Sequence, residues 1–144
     1  MPQKAGNGAV WPVVLNLHLG LAWALWVASG VMAGIWWRRR KNSEVPVRIW
    51  QYQGILQVAV LLQGALGLWL YETGPRPRDP LHVLYGVVLA VIVVVERSLL
   101  PAGRLRALWE ADWGRFAEGW GFFWLNLLTW LVVSRAISTG LWGI

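Results

Sequence analysis

Glu72-Thr-Gly-Pro-Arg-Pro-Arg-Asp-Pro-Leu-His-Val-Leu-Tyr-Gly86 divides the chain into halves that share one plan. Apolar runs long enough to form two membrane-crossing helices precede it, and two more follow. Within it, Asp79 followed by Pro80 reads as a helix cap and first helical residue, because the N–H that proline lacks would be unpaired there anyway. His82 then falls in the first turn of an apolar run. The only other histidine is His18, so the stretch raises the question of whether two distant residues form one site.

The composition agrees with a membrane chain. Of 144 residues, 57% are hydrophobic and 14% charged, and the mean hydropathy is +0.47. Soluble domains carry roughly a quarter charged residues. At ~20 residues per crossing, the length allows about four spans. The expected fold is all-α: an integral membrane four-helix bundle, a single domain over residues 1–144. Spans are expected at about 11–37, 47–71, 80–97 and 119–137. Between the last two, residues 101–118 carry Leu105, Leu108, Trp109, Trp113 and Phe116 at helical spacing with charges between them, which predicts an amphipathic helix in the membrane interface. No cleavable signal peptide is expected, since the first apolar run is too long for a signal h-region and has no clear small-residue cleavage site. Cysteine is absent, which excludes disulfides, thiolate metal sites and covalently attached c-type haem.

The thirteen basic residues are distributed unequally. Five lie between spans one and two (Arg38, Arg39, Arg40, Lys41, Arg48) and four between spans three and four (Arg97, Arg104, Arg106, Arg115). The opposite side has Lys4, Arg76, Arg78 and Arg135. Nine against four predicts cytoplasmic loops and outward termini in a plasma membrane. The excess of positive charge is then topological, and no nucleic-acid module is evident.

Polar residues inside spans are informative because each costs free energy unless it is paired or used. Span one has Asn16, His18 and Ser29, and span two has Gln53, Gln57 and Gln63. Span three has His82 and Tyr85, and span four has Asn126, Thr129, Ser134 and Arg135. No carboxylate falls in the middle of a span, with Glu96 and Arg97 read as closing span three. That pattern disfavours a proton-coupled transporter, and interhelical hydrogen bonding accounts for the glutamines. Tryptophan is abundant at 13 residues. Trp11, Trp69, Trp36, Trp37, Trp50 and Trp120 are placed as interfacial belts. Trp23, Trp26, Trp124 and Trp130 lie deeper, either as packing bulk or as a wall around a flat cofactor. Gly30-Val-Met-Ala-Gly34 is a GxxxG, and Gly64 with Gly67 gives span two a small face.

Depth can be counted for the histidines. His18 is seven residues below Trp11, or ~10 Å, and His82 is three past Asp79, or ~5 Å, at 1.5 Å per residue. From the other end, His18 is 18 residues above Trp36 and His82 is 15 above Arg97. The two lie within about one helical turn of the same depth, on helices running in the same direction.

If they face each other, a b-type haem ligated by His18 and His82 is the economical reading, since imidazole is a standard axial ligand and bundle cores hold such cofactors. Gly86, one turn past His82, would let a macrocycle approach. Arg76, Arg78 and Arg135 would meet the propionates. The plainer alternatives are hydrogen-bonding core histidines, solvated loop arginines and a snorkelling Arg135. A chlorophyll is the alternative cofactor.

Leu17-His18-Leu19-Gly20, followed by Trp23, Trp26 and Ser29-Gly30, resembles the first helix of small CopD-like and HemJ-like membrane proteins, which include four-helix haem-binding members. The resemblance implies His18 as a haem ligand. It covers one helix, with a different Trp-to-His spacing, and does not extend to copper uptake or porphyrinogen oxidation. The function expected is one-electron transfer by a cytochrome b-like carrier rather than a stand-alone enzyme. Its partners would be the lipid bilayer, a quinone or a larger redox complex, and a second copy of the chain. The alternative is an accessory subunit of a respiratory or photosynthetic complex.

Overall fold

The computed structural model describes residues 10–41, 44–74, 77 and 79–142, the side chains of 141 and 142 excepted. It contains five helices: α1 (Val10–Arg39), α2 (Val47–Thr73), α3 (Leu81–Leu99), α4 (Arg104–Trp113) and α5 (Glu118–Trp142). No strand occurs among the described residues. α1, α2, α3 and α5 are long and apolar enough to cross a membrane. They correspond to the four expected spans, with ends shifted by a few residues. The chain is a multi-pass helical membrane protein.

The helices form a ring. α1 packs on α2 and α5, and α3 packs on the same two neighbours, so α1/α3 and α2/α5 are the diagonals. Short connections force successive spans to run antiparallel. One end of the bundle, the terminal end, gathers the starts of α1 and α3 with the ends of α2 and α5. The other, the α4 end, gathers the opposite termini. Leu25, Met32, Leu56, Val60, Ile92 and Val133 fill the middle, while Val27, Val31, Ile55, Val58, Val91 and Val94 face outward. In lipid such a split reflects packing rather than flight from water.

Local sequence explains the helix ends. The Asp79 carboxylate accepts the Leu81 N–H at 2.9 Å, and Pro80 already has helical φ and ψ of −62° and −20°. The expected cap is present, two residues before the first residue of α3. Gly114, at φ 85°, ends α4 in a conformation that costs L-residues free energy. The interfacial helix is therefore shorter than the 101–118 expected. No residue of α4 is buried, and Phe116, just past its end, turns inward against Phe122 with centroids 6.4 Å apart.

Arg106 fastens α4 by pairing with Glu110 at 3.0 Å and Glu118 at 2.6 Å. Partial burial opposes the Arg106 charge, but hydrogen bonds to the two carboxylates outweigh it and raise the guanidinium above its ordinary value.

Gly30 shows what its GxxxG does within the chain. A Cβ there would lie 3.1 Å from Trp130 Nε1, whereas Gly34 borders open space. The motif is a notch for one indole. Trp130 in turn lies 5.6 Å from Trp26, whose Nε1–H donates to Ser134 Oγ at 2.8 Å. Two of the deep tryptophans thus join α1 to α5.

Candidate functional site

The histidines meet. His18 on α1 and His82 on α3 have ring centroids 6.2 Å apart and planes inclined at 61°. Their helices are a diagonal pair whose backbones do not approach among the described residues. The imidazoles therefore reach towards each other across the bundle at the terminal end.

Each ring is held from behind by the neighbouring helix. His82 Nδ1 lies 3.1 Å from the Ala136 carbonyl oxygen on α5. A carbonyl only accepts, so Nδ1 carries a proton, and in the neutral imidazole Nε2 is then the lone-pair nitrogen. Thr139 Oγ1 is 3.4 Å from the same nitrogen, its own hydroxyl lying within reach of the Arg135 and Ala136 carbonyls. His18 Nε2 lies 3.3 Å from the Gln63 side-chain nitrogen, while His18 Nδ1 and Gln63 Oε1 are buried without partners. Amide orientation is an assignment. Turned over, Gln63 Oε1 accepts from His18 Nε2–H and leaves Nδ1 as a bare lone pair. In that orientation Gln63 would hold the His18 ring from α2 as the Ala136 carbonyl holds His82 from α5.

Two glycines make room for the rings. A Cβ at Gly67 would lie 3.1 Å from His18 Cε1, and one at Gly140 would lie 3.1 Å from His82 Cε1. Gly86, one turn past His82, borders open space and packs on neither ring. Arg135 is exposed on α5, one residue before the carbonyl that holds His82. Arg76 and Arg78 lie outside the described residues. Gln63, Gly67, Ala136, Gly140 and Thr139 were not foreseen as parts of this site. The i, i+4 pair Gln63/Gly67 and the Ala136/Gly140 pair were its available signals, each marking one helical face.

At the α4 end a second polar cluster ties all four spans together. Trp36 Nε1–H donates to Gln53 Oε1 at 3.0 Å, and Asn126 Nδ2 donates to the same oxygen at 3.1 Å. Gln53 Nε2 and Gln57 Nε2 donate to Glu96 Oε2 at 2.9 and 3.0 Å. Gln53 and Asn126 span the α2/α5 diagonal as the histidines span the other. Hydrogen bonding does account for Gln53 and Gln57. Two placements are corrected: Trp36 is 0% exposed rather than in the interfacial belt, and Glu96 is 3% exposed rather than closing span three at the surface. Trp36 stacks on Phe122 at 5.0 Å, which seals it from lipid.

No group of three or more His, Cys, Asp or Glu side chains placed to hold a metal occurs among the described residues. Metal ligation here would rest on the two imidazoles plus a macrocycle's own nitrogens. Comparison with known proteins found no matching family model, no matching curated protein and no matching solved structure. The fold and site are therefore those of a four-span helical membrane bundle with two opposed histidines at one end and a buried acid–amide cluster at the other.

Proposed function

We propose that this protein is a b-type cytochrome-like electron carrier, with haem held between His18 and His82. One observation carries the reading: two imidazoles from non-touching diagonal helices meet at 6.2 Å. His18 and His82 would hold the haem from α1 and α3, their imidazoles serving as its nitrogen ligands. The buried, unpartnered His18 Nδ1 and the lone pair left on His82 Nε2 suit the same purpose. A chlorophyll needs one axial imidazole, which would leave the second ring without a role.

When bound, haem iron supplies a one-electron redox couple. The protein's part is positional: Ala136 and Gln63 orient the imidazoles, and the apolar middle of the bundle lowers the local dielectric, both of which tune potential. Arg135, on the same rim, is a cationic partner for a propionate, and the sequence assigns Arg76 and Arg78 the same part. The unequal basic residues support cytoplasmic loops and outward termini in the plasma membrane, placing the histidines in the outer half of the bilayer. A quinone or a larger membrane redox complex would exchange the electron. The likeness of the His18 segment to haem-binding CopD-like and HemJ-like helices agrees with this assignment.

The test is spectroscopic. A dithionite-reduced minus oxidised spectrum should show a sharp b-type alpha band in the purified protein, lost in both His18→Ala and His82→Ala. Retention of the full band in either variant, or chlorophyll absorbance in its place, would sink the assignment.

A further inference from the structure

The cluster at the α4 end has too many oxygens for its donors. Trp36 fixes the count, because an indole N–H can only donate. Gln53 must therefore turn its oxygen to Trp36 Nε1 and its NH2 to Glu96. Asn126 donates to that same Gln53 oxygen and to the Phe122 carbonyl, which fixes its amide too. Gln57 donates to Glu96 Oε2, and turning its amide over would set oxygen against oxygen for as long as the carboxyl carries no proton. Three acceptors remain buried and unpartnered: Glu96 Oε1, Gln57 Oε1 and Asn126 Oδ1.

Among the described residues, no cation pairs with Glu96. The groups that face Glu96 are Gln53 and Gln57 from α2, with Trp36 of α1 and Asn126 of α5 one bond farther, and none of them titrates. Arg97, its chain neighbour, and Arg48 of α2 are exposed and line a groove on the outer side of the α2/α3 seam. Arg106 of α4 pairs with Glu110 and Glu118. A carboxylate anion here would be a buried charge with amide donors on one oxygen only, an arrangement that burial strongly disfavours.

We infer that Glu96 is a proton-binding site: a neutral carboxylic acid whose Oε1 carries an exchangeable proton taken from water at the α4 end. The reaction is simple protonation, carboxylate plus proton giving acid, and needs no other reactant. The added O–H supplies the donor that the cluster lacks, and Gln57 Oε1, unpartnered on the amide bonded to the same carboxyl, is an acceptor for it. Glu96 is three residues from the end of α3, so the exchange path to the α4-end loop is about one helical turn. The inference does not rest on the haem reading.

Infrared spectroscopy of the full chain in lipid nanodiscs at neutral pH tests it. A protonated carboxyl C=O band is expected, shifted by exchange into ²H₂O and lost in Glu96→Gln. In Gln57→Leu, which keeps the acid but removes one amide donor, the band should persist at a changed frequency. Should Glu96→Gln fail to fold, this second variant carries the assignment. Absence of the band in wild type, its survival in Glu96→Gln, or insensitivity to ²H₂O would each overturn the inference.

Discussion

Gln53→Leu should lower the stability of the bundle by about 2–4 kcal/mol, because Gln53 is the node through which Trp36, Asn126 and Glu96 are joined. The substitution preserves approximate bulk but removes one acceptor and one donor at once. Trp36 Nε1 and Asn126 Nδ2 lose the oxygen they share, and Glu96 loses one of its two donors. Single interhelical hydrogen bonds in bilayers average only ~0.6 kcal/mol, since unfolded helices in lipid find other partners. The larger figure is expected because three bonds fail together at a site with essentially no exposure, where water cannot replace them. Reversible unfolding in mixed micelles would measure it. Gln51→Leu, on the exposed face of α2, is the control and should lie within about 0.5 kcal/mol of wild type. Equal effects of the two substitutions would mean that the cluster does not hold the four spans together.

The second large effect is expected at the glycines behind the histidines. Gly67→Val and Gly140→Val should each weaken haem binding more than tenfold, which corresponds to over ~1.4 kcal/mol, with helix content unchanged. At both positions the first added carbon would already stand 3.1 Å from an imidazole Cε1. Two further methyls leave the ring no option but to rotate away, and ligation tolerates little displacement. Gly64→Ala, whose added carbon meets nothing within 4 Å, should titrate with haem as wild type does. Comparable losses in all three variants would place the cofactor elsewhere.

These two sites were not equally legible in the chain. The spans could be read because each is a continuous apolar run bounded by charge, and the bilayer sets its length. The common depth of His18 and His82 followed from counting residues at a fixed rise. That they face each other did not follow, because depth says nothing about rotation about a helix axis. The same gap hid Gly67 and Gly140, whose significance depends on which side of α2 and α5 turns to a neighbour. At the other end, Gln53, Gln57 and Asn126 were visible as polar residues within spans. Glu96 and Trp36 were assigned to the surface because acids and tryptophans at span ends normally belong there. The register between α1, α2 and α3 brings them inside, and only tertiary packing sets that register. α4 was legible as an amphipathic rhythm, but its end at Gly114 was not, since its rhythm continues to Phe116 although the helix does not.

The central claim is that the opposed imidazoles ligate one haem iron from both sides. Its most direct test is the spin state of the ferric protein, purified after incubation with haemin and read by electron paramagnetic resonance beside a haem-to-chain assay. Two imidazole ligands predict one stoichiometric, low-spin haem. A monodisperse, folded chain that takes up no haem, or holds it only in a high-spin form, would contradict the account.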